Sequence, residues 1–292
     1  MSLLRKIYKG RYGYFFLLPH LVVFLIFFLI PVGSGVYLSM FDYNVFSKTF
    51  IGLENYREIF DDWLFKKALV NTFIYTFGVV PLWLGKALLV TVLIYPFRKP
   101  VKTFFKTIFY LPHVTSSVII SLIWLWIFNP TFGLLNYFMK LMGLNPVIWL
   151  GNKLTAMPSL IMMQVIMGGG STIVLLSAAM ASIPEYYFEA AKIEGANSWK
   201  IFSKVTIPLL KPTILYALVM GTIANFQTFS NIYVMTQGGP EFSTITVAYL
   251  VYTTAFRDYN LGLASAMSMV MFVILVGLGI IQFKWLGSNV QY

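Results

Sequence analysis

The 292-residue chain contains no cysteine, which excludes disulfides, a thiolate nucleophile and any cysteine-based metal site. Histidine is almost as scarce. His20 and His113 stand far apart in the sequence, each in or beside an apolar run, so neither has the close partner that a metal site or catalytic pair uses. Charged residues make up 11% of the chain, against about 25% in an average soluble protein. No set of nucleophile, base and orienting residue can be assembled, which argues against an enzyme. A nucleotide cradle is missing as well. Gly85-Lys86-Ala87 looks like the end of a phosphate loop, but Val80 stands where the leading glycine belongs and no serine or threonine follows the lysine. Internal repeats, heptad arrays and low-complexity tails are also absent.

What is present is apolar: 59% of residues are hydrophobic, in runs that mark an all-α integral membrane protein. Arg5, Lys6, Lys9 and Arg11 precede a charge-free run over residues 12–41, longer than the roughly 20 residues needed to cross a bilayer. Its length, and the spans that follow, make it a retained first helix rather than a signal peptide. Pro19 and Pro31 are expected to kink it or mark its ends. After a polar segment over 42–67, a second span over 69–95 contains Lys86. An ammonium near the bilayer centre costs about 2.5 kcal/mol or more. The favoured solution is snorkelling toward the basic residues beyond the span; contact with an anionic solute is the alternative. A third span is expected from the charge-free run 107–139, with turns over 129–153. The fourth, fifth and sixth fall within 154–183, 213–235 and 261–285. Gly168, Gly169 and Gly170 in the fourth permit either close helix packing or backbone exposed to a passing substrate.

The net charge of +11 follows membrane topology rather than a nucleic-acid surface, because the basic residues flank the spans. Six crossings with the N-terminus inside put 13 Lys and Arg residues on the inner side, among them Arg98, Lys99, Lys102, Lys106, Lys192, Lys200, Lys204, Lys211 and Lys284. The outer segments hold 7, namely Lys48, Arg57, Lys66, Lys67, Lys140, Lys153 and Arg257. The positive-inside rule therefore places both termini in the cytoplasm.

The most informative stretch is polar. Residues 182–212 form a helical hairpin between two apolar segments, in which Ser182 and Glu185 have capping-box spacing and Pro184 suits a first turn. Gly195 should end the first helix, Asn197 or Ser198 should cap a second, and Pro208 and Pro212 should end that one and begin the next span. Tyr186, Tyr187, Ala190 and Ile193 form a partly apolar face suited to a partner's groove or to lipid headgroups.

Within the hairpin, Glu189-Ala190-Ala191, three residues, Gly195, nine residues, then Val205-Thr206-Ile207-Pro208 closely resembles the EAA signature of ABC importer permeases. Departures are Val205 for Ile and Ile207 for Leu. FFLLPHLVVFLIFFLIPVGSGVYLS, YLPHVTSSVIISLIWLWIF and TQGGPEFST are similar to the carbohydrate-uptake branch, the sugar permeases related to the maltose importer, so the resemblance covers almost the whole chain. It implies a type I ABC importer permease fold: one permease domain over 1–292 with six transmembrane helices, in a bacterial cytoplasmic (inner) membrane. The 182–212 loop would be a cytoplasmic coupling helix docked in a cleft of an ATPase. Glu189 would make a charge contact there, with Ala190, Ala191, Gly195 and Pro208 completing the signature. It also implies a second, homologous permease subunit in a heterodimer, two ATPase subunits binding ATP and Mg, and an extracytoplasmic solute-binding protein. This chain itself would hold no cofactor, metal or nucleic acid.

A solute path should show polar residues on apolar spans, as at Gln164, Asn225 and Thr228, although helix-to-helix bonding explains any single amide. Alignment with the resembling branch maps the sugar contacts to Met167, Gly168, Ser171, Gly221, Ala224, Asn225 and Thr228, with Ser171 and Ala224 replacing aromatic residues. The implied solute is a sugar or oligosaccharide; relatives of the branch also carry glycerol phosphates and acidic oligosaccharides, and Lys86 leaves an acidic solute open. A permease for amino acids, peptides or ions is the alternative, and a carrier working without an ATPase is less favoured.

Overall fold

A computed structural model of the chain describes residues 11–44 and 47–287. The basic residues Arg5, Lys6 and Lys9 lie outside the described residues. The chain divides into two compact units, Met1–Asp62 with Val251–Phe272, and Trp63–Leu250 with Val273–Tyr292.

In the first unit, α1 (Arg11–Phe24) passes through a π-turn at Leu25–Leu29 into α2 (Ile30–Leu38). Pro19 and Pro31 neither end the helix nor mark its limits. The π-turn finishes two residues before Pro31, where the ring removes a backbone donor and widening the helix accommodates the loss. No residue in the apolar core of this helix is buried within the chain, which leaves a long bare apolar surface. A two-stranded antiparallel hairpin follows, β1 (Phe41–Tyr43) paired with β2 (Lys48–Phe50), then α3 (Glu54–Asp61). The buried Asn55 amide fastens the hairpin by donating to the Ser39 and Phe41 carbonyls, both at 2.9 Å. Gly262 sits against the same strand, where a Cβ would stand 2.0 Å from the Phe41 carbonyl oxygen.

The second unit is built around α4 (Trp63–Ile94), a single long helix that contains Pro81 and Lys86. Next come α5 (Lys99–Val114), α6 (Ser117–Ile127) and the short α7 (Leu134–Leu141). The third apolar run is thus not one straight crossing: α5 and α6 meet at 98°. Pro112 closes α5, and Thr115 and Ser116 are extended, with the Ser116 hydroxyl accepting the Val118 N–H to start α6. The fourth run is also broken, α8 (Ala156–Met167) meeting α9 (Gly170–Ala181) at 43°. Gly169 makes that break, with φ +94, a conformation that costs other residues a Cβ clash. α4 packs on α8, α9 and α12 (Ile207–Phe226).

The polar hairpin forms with two corrections. The Ser182–Glu185 capping box is not made: α10 (Tyr186–Ile193) begins after Glu185 with no side-chain cap, and the Ser182 hydroxyl donates to Ala179 O at 2.7 Å. Nor do the prolines end the second arm. α11 (Ser198–Ile201) runs through a π-turn at Phe202–Thr206 directly into α12, with Pro208 in its first turn and Pro212 inside. The π-turn again ends two residues before a proline. α13 (Ser230–Met235), α14 (Val247–Phe256) and α15 (Leu261–Leu286) complete the chain. Among the described residues four helices are long and apolar enough to cross a membrane, and two bent pairs pass the same test jointly.

Gly170 lets α9 approach α5 closely, since a Cβ there would lie 2.2 Å from Phe109 O. Gly170→Ala should destabilise the protein by about 1–3 kcal/mol through overpacking, read as a lower midpoint of thermal unfolding in detergent, whereas Gly85→Ala, which meets open space, should leave it unchanged.

Candidate functional site

Two adjoining cavities open beside the break in the fourth segment. One, of about 330 Å³, is lined by Gln164, Met167, Gly168, Ala224 and Thr228, together with residues of the α5–α6 corner and the α12–α13 junction. The other, of about 500 Å³, is lined by Gly168, Ser171, Gly221, Ala224 and Asn225, together with Trp83 and Tyr216. His113, Gln164, Gly168 and Ala224 face both. All eight residues assigned to a solute path in the sequence therefore meet here, and the combined space suits a small ligand. Among the described residues lining the two cavities none is Asp, Glu, Lys or Arg.

Local chemistry explains how each side chain is held. The Asn231 amide donates to Gln164 Oε1 at 3.1 Å, and its own Oδ1 stands 3.1 Å from the Ser121 hydroxyl. These contacts link α13, α8 and α6 and fix the Gln164 carbonyl. Asn225 does not bond another helix through its amide nitrogen, which turns back to Gly221 O of its own helix at 2.8 Å. Gly168 and Gly221 admit the Trp83 indole: a Cβ at Gly221 would come within 2.6 Å of the ring, and one at Gly168 within 3.0 Å. Trp83 thus forms a cavity wall wedged between the fourth and fifth segments.

Lys86 lies one turn beyond Trp83 on the same face of α4. It does not snorkel toward the basic flank. Its ammonium donates to the carbonyls of Val165 at 2.5 Å, Ile166 at 2.9 Å and Gly168 at 2.6 Å, the groups that the break leaves without helical partners. A buried main-chain carbonyl without a partner costs about 2–7 kcal/mol by transfer measurements, so these bonds help make the break tolerable.

Sequence reasoning missed Trp83, His113, Tyr216 and Phe229 as lining residues. For Trp83 a signal existed, its spacing of three from Lys86. The TQGGPEFST motif marks the loop after α13, but its anchor lies on α4, far away in the sequence. Asn71 on α4 donates to Phe242 O at 2.9 Å and Ile245 O at 3.0 Å, and the Thr72 hydroxyl accepts the Val247 N–H at 3.0 Å.

The second feature is the exposed elbow. Gly195, with φ +75, ends α10 in a Schellman motif: Ala196 N–H donates to Ala191 O and Gly195 N–H to Lys192 O. Asn197 Oδ1 then accepts the Lys200 N–H at 2.9 Å to cap the second arm. Phe188 alone of α10 is buried, in a cluster with Leu84, Leu176, Ile183, Leu210 and Ile214. Glu189, Ala190, Gly195 and Pro208 are exposed and Ala191 half-buried, while Ile193 is 87% and Trp199 70% exposed. This is a rigid stem that presents bare apolar and charged surface.

A broken-helix membrane unit with an uncharged cavity beside the break and an anchored, exposed elbow suits a membrane permease. The chain belongs to the family described as binding-protein-dependent transport system inner membrane components, whose profile matches residues 2–290. It is thus a multi-pass inner-membrane protein. Among its relatives, the probable ABC transporter permease YurN of Bacillus subtilis is 36% identical, with 93% of this chain and 94% of YurN covered. The trehalose/maltose transport system permease MalF of Thermococcus litoralis is 32% identical over 96% of this chain and 95% of its own. The fold matches a chain of a bacterial alginate ABC transporter, solved with an alginate pentasaccharide-bound periplasmic protein, at a TM-score of 0.84 and 22% identity, covering 97% of this chain and 96% of that one.

Gly221→Ala should push the Trp83 ring off the cavity wall. The expected readout is a shift in intrinsic fluorescence relative to the parent that disappears when Gly221→Ala is made in a Trp83→Phe background.

Proposed function

We propose that the chain is one of two homologous permease subunits of a binding-protein-dependent ABC importer that carries a sugar or oligosaccharide through the cavity between its fourth and fifth apolar segments. The observation that carries this reading is the meeting of Gln164, Met167, Gly168 and Ser171 from the fourth segment with Gly221, Ala224, Asn225 and Thr228 from the fifth. Amides and hydroxyls there share the lining with Trp83 and Tyr216. Such a surface matches a saccharide, whose hydroxyls need hydrogen-bond partners and whose C–H faces pack on rings. The transport of trehalose and maltose by a permease 32% identical points the same way.

In this proposal six crossings place both termini and the elbow in the cytoplasm, and the elbow docks on one of two ATPase subunits that hold ATP and Mg. Glu189 makes a charged contact and Ile193 and Trp199 fill the cleft, with Ala190, Ala191 and Gly195 allowing close approach. A solute-loaded binding protein docks on the outer face. Closure of the ATPases drives the elbows of the two permeases together and switches the cavity from inward to outward access as a rigid-body rearrangement.

Gly195→Asp tests the coupling. Asp is among the residues that tolerate positive φ, so the variant should insert and assemble, while its charged side chain spoils the docking face. Binding-protein-stimulated ATP hydrolysis should be lost in reconstituted assemblies; normal stimulation would contradict the coupling role.

A further inference from the structure

We propose that Lys86 is the positioning residue of the discontinuous fourth segment: its ammonium takes up the main-chain carbonyls opened at Gly168–Gly169 and so fixes the angle at which α8 and α9 present the cavity wall. The consequence for transport rests on the solute path proposed above, but the geometry does not.

An α-helix leaves its last four carbonyls without helical partners. At the end of α8 three carbonyls are instead within 2.5 to 2.9 Å of one ammonium, those of Val165, Ile166 and Gly168. An ammonium has three N–H donors and these bonds engage all of them. The partners are also electrostatically matched, since the C-terminal end of a helix carries partial negative charge that favours a cation. Lys86 therefore spans two apolar segments that are 79 to 82 residues apart in sequence. The break it holds is built into the backbone, for Gly169 adopts φ +94. One turn earlier on the same helix, Trp83 packs against Gly168, Gly169 and Gly221. The lysine and the tryptophan together grip the bend, one by its carbonyls and the other by its bare glycine faces. An ammonium in a membrane segment is ordinarily a solvent-seeking or solute-binding group. Here it is committed to protein backbone, and the cavities beside it have no charged lining residue among those described.

The absence of cysteine in this chain makes the test direct. Spin labels are placed at Met162→Cys on α8 and Ala178→Cys on α9, neither in the cavities, and the distance between them is measured by pulsed electron resonance in the transporter assembled with its partner subunits in nanodiscs. With Lys86 present a single narrow distance is expected. Lys86→Met should broaden or split the distribution, and Lys86→Arg, which keeps N–H donors, should restore much of the narrow peak. Binding-protein-stimulated ATP hydrolysis should fall in Lys86→Met and return in part in Lys86→Arg. A Lys86→Met variant that keeps the parent's single narrow distance overturns the proposal, whether or not hydrolysis is lost. Should Lys86→Met fail to assemble, the same pair is measured in Lys86→Gln, whose shorter, uncharged amide has two donors and cannot engage all three carbonyls: broadening supports the pin and a parental distribution refutes it. Failure of the transport reading would leave these distances unchanged, so the two outcomes are separable.

Discussion

In an apolar layer every main-chain carbonyl and N–H must find a partner inside the protein, because no water is there to supply one. The fourth apolar segment interrupts its own hydrogen-bond ladder at Gly168–Gly169, and the surrounding structure follows from how that interruption is managed. Lys86 supplies donors to the freed carbonyls. Trp83 fills the groove that the glycines leave. The opening that results is lined by backbone, amides and hydroxyls in the middle of a hydrophobic domain, which is what a polar solute needs and a lipid does not.

The same break places the cavity and the elbow at opposite ends of shared rods. α9 starts at the break and leads, after 12 residues or about 18 Å of rise, into the turn before α10. α12 leaves the elbow's second arm and carries Gly221 and Asn225 near the far end of its 20 residues, about 30 Å of helix in all. Near the elbow these rods and α4 are welded by the cluster of Leu84, Leu176, Leu210 and Phe188. Close-packed interiors transmit displacement rather than absorb it, and this cluster packs α10 directly against the helices that carry the cavity walls. The π-turn at Phe202–Thr206 keeps the second arm continuous with α12 despite Pro208 and Pro212. Had those prolines severed the helix, the rod would have ended at the elbow.

The fold class, the position of the elbow and its terminating glycine were legible because each is written in local pattern: apolar runs, flanking lysines and the spacing from Glu189 to Pro208. The eight cavity residues were found through family resemblance and the polarity of Gln164, Asn225 and Thr228, and they converge. Other features depend on contacts that local pattern does not encode. Lys86 was read as snorkelling because its partners are main-chain carbonyls about 80 residues away in the sequence. Ser182 and Glu185 had the spacing of a capping box, but the Ser182 hydroxyl finds Ala179 O first. The 98° corner between α5 and α6 hides inside a run without charge, marked by Pro112 and two extended residues alone. Proline does not end the helix at Pro31 or Pro208, since a π-turn absorbs a missing donor without ending a helix.

Transmission of the nucleotide state from the elbow to the cavity is the claim on which this account turns, and thiol accessibility measures it most directly. Ser171→Cys would be labelled by a membrane-impermeant reagent outside proteoliposomes that hold the assembled transporter, with ATP and vanadate loaded inside. The account predicts that the cysteine reacts from outside when nucleotide is trapped and is protected when nucleotide is absent. A labelling rate indifferent to trapped nucleotide would contradict it.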